Sequence, residues 1–367
     1  MPSLLTEITE ISTALGTLGR DIDDVLGRKP TELLNVAPPV WSRVVAAYQG
    51  GRHSGSFDTA FANGAAFLAA EEGLRRRLPR TIEWKGIHRP PGDDAIPADI
   101  RIDHVYLVSC KYLSRVLVNA GPARLFDRLL AGDRRTADNW FAVTAPIEYR
   151  GFYDAAREVT GLAELPADPI HLTSDKQQLL RRALADRALP IELQPLWSVL
   201  CHKVAAVSAE RWSDALASPK AKLHLLWRLL RVSNATYFVL GTDGATHIRL
   251  RVASTWDWDQ DFELRSLAIE PQSAGQPVVV WRADLLDRTT GAVREIVGHV
   301  EVRWSHGRFV GTPEAKVYLD VPHASVAGYR PLADEQETLP ANEQKPLPAN
   351  DQDPTPPDIA VQGRLWG

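Results

Sequence analysis

PADIRIDHVYLVSCK, residues 97–111, is the stretch whose reading decides the fold. It reads as two short strands joined by a tight turn around Asp103-His104. Asp99 opens the first strand, and Ser109 and Lys111 lie near the end of the second. A two-residue turn at Asp103-His104 pairs Asp99 with Val108 and sends Ser109 and Lys111 to the opposite face. A three-residue turn at Asp103-His104-Val105 pairs Asp99 with Ser109 and brings Asp99, Ser109 and Lys111 to one face. The register therefore decides whether a carboxylate and an ammonium can work together, because a slip of one residue reverses every side chain.

The chain around this hairpin reads as an ordered series. An amphipathic helix is expected over residues 3–28. A second is expected over 58–78, with Phe57, Phe61, Gly64, Leu68 and Glu71 at helical spacing. On that reading Glu71 falls in the apolar stripe and Glu72 at its edge. A strand at 81–86, the hairpin, a helix at 122–131 and a strand at 139–144 (NWFAVT) follow. Residues 150–232 read as mostly helical. From 236 the pattern changes to strands, beginning with a hairpin at Thr242-Asp243-Gly244-Ala245. The domain reading is 1–57 helical segment, 58–150 core, 151–235 helical region, 236–330 β-rich region and 331–367 tail.

Composition narrows the classes. The 367 residues suffice for one large domain or two ordinary ones. No apolar run of about 18 residues occurs, so no membrane span is expected. Two cysteines, Cys110 and Cys201, give neither a disulfide framework nor a zinc spacing, and a reducing cytoplasm is the expected location. The net charge of −4 hides an uneven distribution, since residues 331–367 carry −5 and residues 73–128 carry +5. A locally basic stretch around the hairpin suits a polyanionic ligand.

Helix, three strands, helix, strand, with Asp99 opening the second strand and Lys111 ending the third, resembles the PD-(D/E)XK nuclease superfamily over roughly residues 58–144. The resemblance implies an α/β, restriction-endonuclease-like core and metal-dependent cleavage of DNA, in repair, replication or restriction of foreign DNA. It implies that Asp99 ligates Mg²⁺ or Mn²⁺, with the Cys110 carbonyl as a further ligand. Lys111 would orient the attacking water or stabilise charge on the phosphate. The sequence departs from the pattern at Ser109, where an acid is usual, so a carboxylate must come from elsewhere. Glu71 is the expected source, with Glu72 and Asp127 as alternatives. If all three point away from Asp99, the competing reading is a catalytically inactive DNA-binding or scaffold protein on the same fold. A second triplet, Glu314-Ala315-Lys316, reads as a solvated strand face, and His299, Glu301, Arg303 and His306 as one face and turn of a half-exposed strand.

The tail repeats LPANEQ (339–344) as LPANDQ (347–352) in a Pro-rich acidic setting. Such composition cannot bury a core and is expected to be disordered. Its end, Gln362-Gly363-Arg364-Leu365-Trp366, resembles the peptide that bacterial repair factors present to the sliding clamp. Leu365 and Trp366 supply apolar anchors and Gln362 a directional hydrogen bond. A peptide of residues 358–367 is expected to bind that clamp with a Kd on the order of micromolar. Gln362→Ala should weaken it, and Leu365→Ala with Trp366→Ala should abolish it in a fluorescence-anisotropy titration. No binding at high micromolar peptide refutes the assignment.

Overall fold

The computed structural model describes residues 3–86, 96–112, 116–130, 139–184, 189–244, 246–273 and 275–332. It is a mixed α/β structure with two sheets. Helices α1 (Leu4–Gly16), α2 (Ile22–Gly27), α3 (Pro38–Gln49) and α4 (Ser54–Ala69) surround the short strand β1 (Leu33–Leu34) in sequence. Strands β2 (Ile82–Trp84), β3 (Ile100–Ile102), β4 (Tyr106–Tyr112) and β5 (Val116–Ala120) follow. Next come α5 (Pro122–Phe126), α6 (Trp140–Thr144), α7 (Pro146–Thr160), α8 (Ser174–Ala183), α9 (Gln194–Ala215) and α10 (Pro219–Leu229). The rest is β6 (Tyr237–Asp243), β7 (Thr246–Val252), α11 (Thr255–Asp261), β8 (Phe262–Ser273), β9 (Pro277–Asp287), β10 (Val293–Arg303), β11 (Glu314–Leu319) and β12 (Tyr329–Pro331).

The first sheet has the order β1-β2-β3-β4-β6-β7-β12, and the second β5-β11-β10-β9-β8. In the first sheet β2, β3 and β4 are antiparallel neighbours, whereas β6 runs parallel to β4. Strand pairing thus joins residues on both sides of position 236. One face of this sheet, with Trp84, Ile100, Val108, Phe238 and Leu240, packs under α1 and α4 against Ile8, Ile11, Phe57 and Phe67. The other face, with Tyr237, Val239, Leu250 and Val252, shares a larger core with the second sheet and α9.

Several boundaries differ from expectation, each for a physical reason. The N-terminal helix ends at Gly16, and a turn through Gly19 (φ +64°) separates it from α2. Helix α4 ends at Ala69, because the chain turns back to bury Leu74, whose amide donates to the Phe67 carbonyl at 3.0 Å. Glu71 and Glu72 therefore lie beyond the helix and are exposed. The buried residues of α4 are Ser56, Phe57, Ala60, Asn63, Gly64 and Phe67, a stripe that stops before Glu71. Residues 139–144 form no strand: Trp140–Thr144 is helical, and the Thr144 hydroxyl donates to the Trp140 carbonyl at 2.7 Å. A short apolar run bounded by Pro146 does not distinguish strand from helix by periodicity. The strand parallel to β4 is β6 instead.

Helices α1 and α4 cross in backbone contact. A Cβ on Gly64 would collide with the Thr13 carbonyl, and one on Gly16 with the Phe61 carbonyl. Neither obstacle is the end of a flexible side chain, so the helices would have to separate. Gly64→Ala is expected to destabilise the protein by about 1–3 kcal/mol, the usual range for overpacking. Chemical denaturation of Gly64→Ala beside Gly151→Ala, where a Cβ meets nothing, checks this; equal midpoints would show that the crossing tolerates the methyl.

Candidate functional site

The hairpin has the three-residue loop. Ile102 pairs with Tyr106, Arg101 with Leu107 and Ile100 with Val108. Asp103 (φ 48°) and His104 (φ 60°) take left-handed conformations, which Asp and His adopt more readily than most residues. The Asp103 carboxylate accepts the amides of Arg80 (2.7 Å) and Thr81 (3.0 Å), fixing the turn against the preceding strand. Asp99 and Ser109 consequently come together: the Ser109 hydroxyl donates to Asp99 Oδ2 at 3.4 Å. The Cys110 amide donates to the same oxygen at 2.7 Å. The Asp99 side chain thus takes a bond that a backbone carbonyl supplies farther along the ladder.

Alternation brings two further charges to this face. In β2, Ile82 and Trp84 point to the helices, so Glu83 and its neighbour Lys85 point the other way. Glu83 stands opposite Arg101, and the Lys85 amide donates to the Asp99 carbonyl at 2.8 Å. Glu83 and Lys85 are 8% and 5% exposed, unusual for such residues. Glu83 Oε2 accepts from Arg101 Nη2 at 2.6 Å and lies 3.9 Å from Lys85 Nζ, while Oε1 lies 3.0 Å from His104 Nδ1. Ser109 is fully buried and Lys111 half-buried. Sequence reasoning missed Glu83 and Lys85, although the alternation Ile82-Glu83-Trp84-Lys85 carries the signal.

The expected second carboxylates do not join this group. Phe67, near the end of α4, packs on Tyr106 at the turn end of β4, with ring centroids 6.0 Å apart. Tyr106 lies about 16 Å along the strand from Lys111 at ~3.3 Å per residue, and Glu71 and Glu72 follow Phe67 at that end. The Asp127 carboxylate is held by Arg211 of α9 at 3.2 Å, on the side of the second sheet. Among the described residues, no three His, Cys, Asp or Glu side chains gather as a metal-holding group. Gln362, Leu365 and Trp366 lie outside the described residues.

The opposite side of β4 carries a buried polar network. Asn63 of α4 donates to the Gly241 carbonyl (3.0 Å) and the Tyr112 hydroxyl (3.2 Å), and accepts from Arg249 Nε at 3.0 Å. Tyr112 also meets the Thr13 hydroxyl at 2.6 Å. Glu10 of α1, missed by the sequence reading, is buried and accepts the Trp84 indole N–H at 2.6 Å. Burial pushes the Cys110 thiol well above its ordinary value, and the Asp99 and Glu10 carboxylates push it further.

The second triplet also differs from expectation. Lys316 pairs with Glu301 across β10 and β11, and both are buried with Arg303 instead of forming a solvated face. His299 stacks on Tyr318 and meets Asp320 at 2.6 Å.

No protein-family model matches the chain, and no match is found among curated proteins or solved structures. Among the described residues no helix is long and apolar enough to cross a membrane.

The Cys110 environment gives a probe of the site. Negative charge beside a thiol raises its pKa, so neutralising Asp99 should lower it and increase the thiolate fraction. With Cys201→Ala as background, Asp99→Asn is expected to speed iodoacetamide alkylation of Cys110 several-fold at pH 8. An unchanged rate in folded Asp99→Asn would place the carboxylate elsewhere.

Proposed function

We propose that the chain is a metal-dependent deoxyribonuclease whose site lies on the shared face of β2, β3 and β4. The observation that carries this reading is the concentration of Glu83, Lys85, Asp99, Ser109 and Lys111 on that face, with two of the charges almost fully buried. Charged groups are seldom buried unless paired or put to use, and clusters of them mark functional sites. The strand order supports it too. Three antiparallel neighbours followed by a parallel strand, with helices over one face, is the arrangement expected of a PD-(D/E)XK core. The roles in repair, replication or restriction, and recruitment to the clamp through Gln362, Leu365 and Trp366, belong to the same proposal and rest on the sequence.

The donor set fits Mg²⁺ or Mn²⁺, which take hard oxygen ligands; Mg²⁺ commonly uses one or two protein carboxylates with waters and substrate phosphates. Asp99 and Glu83 would hold the ion, with the Cys110 carbonyl beside them; Glu83 replaces Glu71 as the second acid. The chemistry such an ion supplies is a more acidic water and a polarised phosphate. Ser109 and the Cys110 amide orient Asp99. Arg101 and Lys85 fix the position of the Glu83 carboxylate. Lys111, on the same face beyond Ser109, offers a positive charge to a phosphate oxygen as negative charge builds there.

A second reading is binding without cleavage, on a degenerate nuclease fold. It is favoured by the occupancy of both acids: Glu83 is held by Arg101 and His104, and Asp99 by Cys110 and Ser109.

One assay separates the two. The full chain is incubated with circular, linear and branched DNA in Mg²⁺ or in chelator. Metal-dependent cleavage is expected, falling at least ~100-fold in Asp99→Ala, Lys111→Ala and Glu83→Gln, with Glu71→Gln and Asp127→Asn close to wild type. Tight DNA binding with no cleavage in either metal would favour the second reading. Cleavage undiminished in Asp99→Ala and Lys111→Ala would remove this face from the mechanism.

A further inference from the structure

The turn between α4 and β2 carries four arginines, Arg75, Arg76, Arg77 and Arg80, and all four are exposed. Arg75 Nε donates to the Glu71 carbonyl. Arg77 donates to the Tyr106 hydroxyl at 3.3 Å, with its guanidinium 6.0 Å from the centroid of that ring. The side chains of Arg76 and Arg80 bond to none of the described residues, and among those residues no carboxylate forms an ion pair with any of the four. Glu71 and Glu72, the acids beside them, are exposed and take no part in these bonds. Exposed arginines elsewhere do pair: Arg20 with Glu32, Arg150 with Asp154, Arg294 with Asp287 and Arg330 with Asp261. One unpaired surface arginine is ordinary, but four in one turn make a local positive field that attracts a polyanion.

The turn holds these side chains at a conformational cost. Arg75 (φ 53°) and Arg76 (φ 61°) are both left-handed, the region that glycine enters freely. Strain of this kind at non-glycine residues gathers at ligand sites. The backbone is nevertheless well fixed. The amides of Arg75, Arg76 and Arg77 donate to the carbonyls of Ala70 (3.1 Å), Leu68 (2.6 Å) and Leu74 (2.9 Å). Leu74 and Pro79 are buried on either side, and Asp103 accepts the Arg80 amide at 2.7 Å. The arginines thus reach solvent from an anchored segment, and a ligand need not order the backbone when it binds.

We infer that Arg75, Arg76, Arg77 and Arg80 form a surface that binds the phosphate backbone of a DNA duplex. This rests on the nuclease reading and deepens it. Charge complementarity and placement carry it. A duplex presents one negative charge per about 1.7 Å of its axis, and a guanidinium fork matches phosphate oxygens two at a time. Arg80 stands three residues before Glu83, at most about 10 Å along β2 at ~3.3 Å per residue. A DNA strand rises about 3.4 Å per nucleotide. A backbone held at Arg80 therefore lies about three nucleotides from one held at the acids. All four arginines act as binding residues and touch no reacting atom.

The test measures binding of the full chain to a short DNA duplex in chelator, across a range of salt. Each lost phosphate contact lowers affinity and reduces the slope of log K against log salt by about 0.9. The double variant Arg75→Gly/Arg76→Gly is decisive, because glycine suits both left-handed positions and the fold should be kept. It should weaken binding by at least about tenfold and reduce the slope by about 1.8. Arg80→Gln should reduce the slope by about 0.9. The losses should be equal on two duplexes of unrelated sequence, since phosphate contacts carry no sequence information. Arg294→Gln, on the second sheet, should leave binding unchanged. Unchanged affinity and slope in folded Arg75→Gly/Arg76→Gly and Arg80→Gln overturn the surface, and metal-dependent cleavage by the same variants leaves the nuclease reading standing. The expected slope changes in a protein that cleaves nothing uphold the surface and remove the nuclease reading. No DNA binding by the wild type overturns both. Binding of poly-glutamate of equal charge as tightly as the duplex, lost in the same variants, assigns the turn to an acidic protein and overturns the backbone assignment.

Discussion

The parallel pairing of β4 with β6 is the constraint on which the rest of the molecule depends. Lys111 stands beside Gly241 in this register, and the strands approach so closely that a Cβ on Gly241 would collide with the Lys111 carbonyl. The contact is non-local: the segment between the two strands holds, among its described residues, the six helices α5 to α10. Asn63 binds the Gly241 carbonyl, the Tyr112 hydroxyl and Arg249 together, so α4 is tied to β4, β6 and β7 at one point. Removing one partner from such a buried network leaves the others without their bonds, which costs more than the bonds contribute net. Fixing β4 in this way gives its two faces separate tasks.

One face belongs to the α1–α4 core and is apolar apart from Glu10 and the Asn63–Tyr112–Arg249 network. The other carries Glu83, Lys85, Asp99, Arg101, Ser109 and Lys111 near the junction of the sheets. Taking ions out of water is expensive, and a buried ion pair rarely repays that cost in stability. The carboxylate of Glu83 is held by Arg101 and His104 at short range, which makes its burial tolerable. The second sheet repeats the arrangement with Glu301, Arg303 and Lys316. Both groups lie on strands whose opposite faces are apolar core. Charge is thus concentrated on the second face of each sheet, where a function or a unique register can justify it.

Much of the first sheet was legible because its signals are local. The spacing of apolar residues in 97–111 admitted a three-residue turn, and the left-handed Asp103 and His104 realise it. The alternation in 236–252 and the Asp-Gly pair located the β6–β7 hairpin, which joins Asp243 to Thr246. The end of α4 was not legible, since the helical spacing continues to Glu71 while tertiary packing turns the chain at Ala69 to bury Leu74. The short run 139–144 was equally ambiguous. Its neighbours decide it: Trp140 stacks on Phe126, and Phe141 on Trp304.

What the sequence by itself determined is the hairpin and the change from helices to strands near residue 236; it left open whether Asp99, Ser109 and Lys111 share a face, which the observed register settled. The hairpin and that change follow from the period-2 geometry of a strand and the chemistry of turns, which act within a few residues. Only the tertiary structure decided which carboxylates stand beside Asp99 and which strand runs parallel to β4. Those depend on packing between segments far apart in the chain, where burial and backbone contact choose among partners that local pattern leaves equivalent.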